Sequence, residues 1–271
     1  MIAPDRLAVC SWSLQPTSAD DLIDKVRQTG LSRVQLHLNP LSSGGDAWAD
    51  TPAKLTDAGI EVVSGMVECV GEDYSSIAAI TRTGGVVPDE TWPDTRDAML
   101  AAADVAGQMG LKLVTFHAGF VPHDTNDPIY TKVLGRLLDV ADIFGKAGCE
   151  VALETGQEPA DALVGLLSRL DNIGVNFDPA NMVLYGCGDP IDALAKLLPH
   201  VKQVHLKDAT PSDQPGVEWG TEVPVGDGAV DWPAFVKLLD DAGYRGDCVV
   251  EREAGDNRVG DVRMGVAFIS D

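Results

Sequence analysis

Four residues that bind metals and move protons each close a short apolar run in the second half of the chain. They are Glu154 after Val-Ala-Leu, Asp178 after Gly-Val-Asn-Phe, His205 after Val-Lys-Gln-Val and Glu251 after Cys-Val-Val. Each run reads as a β-strand, and each is followed by a loop and a helical pattern. Parallel strands joined by helices put their C-terminal ends on one face, so four such ends can converge on one point. Three carboxylates and one imidazole form a hard, oxygen-rich site suited to one divalent ion such as Mn²⁺ or Mg²⁺. An ionised carboxylate at the end of an apolar run is costly unless it is paired or metal-bound. The plainer alternative for any one of the four is a strand-end residue facing solvent.

The elements that must position these side chains alternate along the whole chain. Strand patterns cover residues 6–13, 33–38, 60–66, 111–117, 150–154, 173–178, 201–207 and 247–251. Helical patterns cover 18–29, 51–58, 95–109, 127–147, 159–170, 190–198 and 232–242, and a weaker one follows Glu251. Ser18 is a candidate N-cap and Gly30 a stop for the first helix. Eight such units predict a single (β/α)₈ barrel domain over residues 1–271, a length close to the typical ~250 for that fold. The rival is an open doubly wound sheet, but Ser11-Trp12-Ser13-Leu14-Gln15 is not the Gly-rich phosphate turn that often follows its first strand. Two connections, 67–93 and 208–230, are long enough to serve as lids over a substrate.

Composition narrows the function. The formal net charge is −22, and the acidic residues are dispersed. Such a surface repels phosphate backbones and argues against nucleic-acid partners. No run is apolar for the ~18 residues of a membrane span, and the N-terminus lacks a secretory pattern. The five cysteines include no CxxC pair, and Cys10, Cys149 and Cys248 fall in or beside strand patterns. They read as buried free thiols, which points to a cytoplasmic location. Homo-oligomerisation is left open.

The motifs together resemble the xylose-isomerase-like barrel superfamily, which groups sugar isomerases and epimerases with endonuclease IV. The resemblance covers nearly the whole chain. It rests on Leu-Glu154-Thr, Phe-Asp178-Pro-Ala-Asn181, Val-His205-Leu-Lys207-Asp208, Val-Gly226-Asp-Gly228-Ala-Val-Asp231-Trp232 and Val-Val-Glu251, in that order. By this resemblance Glu154, Asp178, His205 and Glu251 would hold one divalent ion. Glu154 and Glu251 would also transfer protons on opposite faces of a small sugar or sugar phosphate, through an enediolate. One base serving both carbons would give isomerisation instead. Many family members carry His three residues after the metal Asp. Here that position is Asn181, which can bind a hydroxyl but ligates zinc poorly.

Other candidates for substrate contact are His117, ending strand four, and His37, ending strand two beside Gln35. Lys207 follows the metal His and could bind a sugar oxygen or phosphate. Asp208 could orient neighbours, or the two could form a structural ion pair. Trp12 could stack on a sugar face or simply cap the core. Gln157 could contact a hydroxyl, and His123 and His200 read as surface residues. The leading expectation is a metal-dependent sugar isomerase or epimerase. The same first step on a 3-keto sugar or inosose could end in elimination, making the protein a dehydratase. A phosphodiesterase of the endonuclease IV kind is disfavoured by Asn181 and the charge. A non-catalytic sugar-binding barrel is the remaining alternative.

Overall fold

The structure is a computed structural model that describes residues 1–270. Its strands are β1 Leu7–Cys10, β2 Arg33–His37, β3 Glu61–Met66, β4 Leu113–Phe116, β5 Glu150–Glu154, β6 Ile173–Phe177, β7 Val201–Leu206, β8 Asp208–Thr210, β9 Thr221–Val223 and β10 Cys248–Val250. Its helices are α1 Ala19–Thr29, α2 Asn39–Ser42, α3 Thr51–Asp57, α4 Ile77–Thr83, α5 Trp92–Met109, α6 Pro128–Lys146, α7 Ala160–Leu167, α8 Pro179–Tyr185, α9 Pro190–Leu197, α10 Trp232–Asp241 and α11 Arg258–Ser270.

Strands β1 to β7 and β10 pair in parallel and close into a barrel, with β1 hydrogen-bonded to both β2 and β10. The open-sheet alternative is thereby removed. Because helices cover the outer face and side chains fill the inside, strands β1, β6 and β10 are buried throughout; β3, with only Ser64 and Gly65 buried, is the least covered. The outer layer is the main apolar core. Phe177 on β6 packs there against Phe235 of α10, with ring centroids 6.1 Å apart.

The inner layer is different in kind. It joins the small residues Ala8, Cys10 and Val249 to a polar set crossing the barrel axis. Ser64 donates to Gln203 Oε1 at 2.6 Å, Gln203 to Asn176 Oδ1 at 3.3 Å and Gln35 to Thr115 Oγ1 at 2.8 Å. These residues precede a strand-end residue by two: Gln35 before His37, Thr115 before His117, Asn176 before Asp178, Gln203 before His205. A strand repeats its facing every second residue. The inner polar layer therefore lies directly beneath the candidate site.

The helix ends follow local chemistry. Ser18 Oγ accepts from the N–H of Asp21, and Gly30 closes α1 in the left-handed region, as the sequence suggests. The last helix, α11, forms although its own pattern is weak, because Val262, Gly265 and Ile269 bury against the barrel.

Four expectations change. Strand one is shorter than residues 6–13: the chain leaves the sheet after Cys10, and Trp12–Leu14 form a 3₁₀ turn closed by Gln15 at φ 47°. The connection 67–93 is not a plain loop, since Ser76 caps α4 within it. The connection 208–230 contains the antiparallel hairpin β8–β9, pairing Ala209 with Glu222. The stretch after Asp178 is the short helix α8, which Asp178 caps, Pro179 starts and Gly186 ends.

Candidate metal centre and active site

Glu154 ends β5, Asp178 and Glu251 immediately follow β6 and β10, and His205 is the penultimate residue of β7. The barrel brings one donor atom from each within 4.8 Å of all the others. His205 Nδ1 lies 3.3 Å from Glu154 Oε1, 3.3 Å from Glu251 Oε2 and 3.8 Å from Asp178 Oδ2. Neighbouring ligands of an octahedral ion at about 2.1–2.2 Å stand about 3 Å apart. All four side chains are buried.

Each donor is aimed by a separate device. Asp178 spends Oδ1 on the amides of Ala180 and Asn181, at 2.8 and 3.0 Å, which leaves Oδ2 toward the centre. Thr155 clamps its backbone by accepting from the Asp178 N–H and donating to its carbonyl. Glu154 Oε1 accepts from Asn181 Nδ2 at 3.1 Å, and Oε2 from Asn176 Nδ2 at 3.3 Å. Glu251 Oε1 accepts from the indole N–H of Trp12 at 2.7 Å. His205 Nε2 stands 2.7 Å from Gln35 Oε1, and the amide nitrogen of Gln35 is committed to Thr115 and the Gly65 carbonyl. The Gln35 oxygen at this distance favours a proton on Nε2, although the Asn176 amide nitrogen also lies 3.0 Å from that atom; with the proton there, Nδ1 is left for a metal.

His205 Nδ1 and Asp178 Oδ2 are buried without a hydrogen-bond partner, and Glu251 Oε2 beside them has the Lys207 ammonium 3.0 Å away. Electron-rich atoms facing each other in a dry site repel unless a cation or proton lies among them. The donor set therefore fits a divalent cation.

Without an ion, the surrounding charges act on the four residues in different senses. Burial pushes the Glu251 carboxyl up, but the Lys207 ammonium and His205 outweigh it and hold it well below the usual range. Glu154 is also held low, as His205 and His117 overcome its burial. Burial prevails at Asp178 and raises it to about 6, against the pull of Lys207. Burial opposes charge on His205, yet Cys10, Glu154 and Glu251 lift its pKa well above the imidazole value. Burial holds Cys10 itself firmly as a thiol.

The remaining sequence candidates fall into two groups. His37, His117, Asn181, Lys207 and Trp12 line one cavity of about 600 Å³ above the four donors. His117 Nε2 is 3.8 Å from Glu154 Oε1, and its Nδ1 has no partner. His37 Nε2 is likewise unpartnered, 3.8 Å from Glu68. Trp12 and Asn181 both work through a glutamate, as described. Lys207 is 3% exposed and sits among Glu251 Oε2 at 3.0 Å, Glu253 Oε2 at 2.5 Å and Asn181 Oδ1 at 3.4 Å. Gln157 is not on the cavity wall; its amide donates to the Tyr185 hydroxyl at 3.4 Å. Asp208 holds the following loop by accepting from the amides of Gly226, Gly228 and Val230 and the indole of Trp232. A Cβ at Gly228 would lie 2.0 Å from Asp208 Oδ1, so the loop needs glycine there. His123 is exposed and His200 half-buried.

Several site residues escaped sequence reasoning. Gln35 and Asn176 are amides inside apolar strands, and that misfit was their signal. Glu253, two residues past Glu251, shared its facing. Tyr185 and Trp219, packed edge to face at 4.7 Å, carry no sequence signal linking them.

The description "xylose isomerase-like TIM barrel" matches residues 23–271. The chain belongs to this family. A xylose isomerase domain protein from Planctomyces limnophilus has 31% identity and a TM-score of 0.85, covering 98% of this chain and 95% of its own. An inosose dehydratase of Serratia proteamaculans is 31% identical over 147 residues, 47% of this chain and 49% of that protein. One from Klebsiella pneumoniae subsp. pneumoniae is 45% identical over 71 residues, 22% of this chain and 24% of that protein. The chain thus spans half or less of the length of these curated relatives. An L-ribulose 3-epimerase shares the fold at 15% identity and a TM-score of 0.70. No helix among the described residues is long and apolar enough to cross a membrane.

Proposed function

We propose that this protein is a divalent-metal-dependent enzyme of the isomerase and epimerase kind, removing a proton beside the carbonyl of a small polyhydroxy ketone. Glu154, Asp178, His205 and Glu251 would hold the ion. The observation that carries the reading is the pair Glu154 and Glu251, two carboxyl groups fixed by different partners at the ends of barrel strands three positions apart in the closed order.

A divalent ion, when bound, polarises the carbonyl and the neighbouring hydroxyl and favours negative charge on their oxygens. The protein supplies the rest. Asn181 and Asn176 hold Glu154, while Trp12 and Lys207 hold Glu251, so neither carboxylate must reorganise to meet a C–H bond. One glutamate takes the proton, and the electron pair left on carbon moves onto the carbonyl oxygen. The other glutamate, which must enter the cycle protonated, returns its proton to the opposite face as the electron pair moves back to carbon, which inverts that carbon. The aromatic residues Trp12, Tyr185 and Trp219 can cover the C–H faces of a sugar and exclude water.

Elimination is the second reading, and the inosose dehydratases among the relatives favour it. There the carbonyl re-forms, the C–O bond at the next carbon breaks, and the departing hydroxide takes a proton to leave as water. The test is incubation of the Mn²⁺-loaded protein with an inosose and a ketose panel in D₂O. Deuterium in recovered substrate or epimer supports epimerisation, and an unsaturated product supports dehydration. Absence of both exchange and unsaturated product across the panel would remove both readings.

A further inference from the structure

We infer that the site selects an uncharged polyhydroxy ketone and excludes phosphorylated and other anionic substrates, because the chain's own carboxylates already occupy the places where a barrel of this kind would seat an anion. The inference rests on the proposed function and narrows its substrate class.

Phosphate needs donors with spare capacity: Arg or Lys side chains, or free backbone N–H groups. In (β/α)₈ enzymes such donors often come from the loops after the seventh and eighth barrel strands. Here those strands are β7 and β10. After β10, the amides of Glu253 and Ala254 and the Arg252 guanidinium converge on one point, at 2.8, 3.2 and 2.7 Å. The group at that point is Glu222 Oε1, delivered by β9 of the hairpin. After β7, the amides of Gly226, Gly228 and Val230 converge in the same way on the carboxylate of Asp208. Two anion cradles are present, and each is filled by a buried side chain of the chain itself.

The cavity has no spare lysine or arginine either. Its wall carries Glu68, Glu72, Glu154, Glu222, Glu251 and Glu253, but only one lysine and no arginine. That lysine, Lys207, is spent on Glu251, Glu253 and Asn181. A bound divalent ion would leave the glutamates in the majority, and an incoming anion would meet repulsion in a partly dry cavity. What the wall does offer suits neutral hydroxyls. His37 Nε2, His117 Nδ1 and the Trp219 indole nitrogen are buried without a partner.

The test uses the full chain saturated with Mn²⁺. Dissociation constants are measured by calorimetry for an inosose, D-tagatose and D-psicose, each against its phosphate monoester at equal ionic strength. In parallel, thermal unfolding of the native protein and of Glu222→Ala is followed with and without inorganic phosphate. We expect each ester to bind at least about tenfold more weakly than its parent, a difference a like-charge encounter readily supplies. Phosphate should leave the native melting temperature unchanged and raise that of Glu222→Ala, whose cradle is vacated. An ester that binds as well as its parent, or phosphate stabilising the native protein, would overturn the charge inference while leaving the functional reading intact. Failure of every parent compound to bind would instead remove the functional reading, and this inference with it. Glu222→Ala that folds but ignores phosphate would show that Glu222 does not fill an anion seat.

Discussion

The indole nitrogen of Trp12 donates to Glu251 Oε1 over 2.7 Å, so an aromatic residue on the first turn fixes a carboxylate that follows the last barrel strand. The two residues are 239 positions apart, and β1 and β10 are neighbours only because the barrel closes. A sugar-stacking role for Trp12 is compatible with this bond, since the residue also lines the cavity. Its first duty is orientation. A hydrogen bond to a charged group contributes about 1.5–3 kcal/mol.

Trp12→Phe keeps a ring and deletes that bond. Turnover is expected to fall about tenfold or more, consistent with the loss of one such bond, with Mn²⁺ content unchanged. Steady-state kinetics with metal analysis checks this. Unchanged turnover would mean that Glu251 does not depend on the indole.

Glu251→Gln keeps the size and one acceptor oxygen but removes basicity. The rate should drop by about 10²–10⁴, the usual span for a general base, while substrate still binds. His205→Ala should act through metal loss, with partial rescue by excess Mn²⁺. Full metal and near-normal turnover in Glu251→Gln would refute the two-carboxylate scheme and move attention to His117.

Gln35→Leu removes the acceptor that holds the proton on His205 Nε2. Loss of such a partner typically lowers metal affinity about 10- to 100-fold. Mn²⁺ titration by calorimetry, with circular dichroism to verify folding, reads the effect. An unaltered Mn²⁺ affinity in the folded variant would discard the tautomer argument.

Glu158 offers a pH test away from the four donors. Burial lifts its carboxyl from 4.5 to about 7, despite a hydrogen bond from the Val121 amide at 3.1 Å. The folded state therefore holds this proton more tightly than the unfolded chain. Between about pH 4.5 and 7 the folded protein binds more protons, so stability declines as pH rises. Above that window the buried charge costs about 3 kcal/mol. Glu158→Gln should match the native melting temperature near pH 4.5 and exceed it by several degrees at pH 8.5. Equal melting temperatures at both pH values would show that Glu158 titrates normally.

Much of the fold was legible because it is written in local patterns. Alternation of apolar strands with capped helices marks eight units, and Asp178, Glu154 and Glu251 are visible as carboxylates that end apolar runs. The short helix α8 was not, because Asp-Pro-Ala-Asn serves equally as the tail of a strand; only its bonds to Oδ1 reveal Asp178 as a cap. The hairpin β8–β9 was hidden for a similar reason. Its strands are three residues each, too short for a period to appear.

By itself the sequence determined which four residues would gather and the face on which they do so, since strand facing repeats every two residues and parallel strands share an end. The tertiary structure decided which atom of each donor looks inward. His205 presents Nδ1 because Gln35, from a strand 170 residues away, claims Nε2. Lys207 reaches both Glu251 and Glu253 because β10 lies beside β7. Such choices depend on hydrogen bonds a few ångströms long between residues far apart in the chain. No periodicity along one strand encodes the distance across a closed barrel.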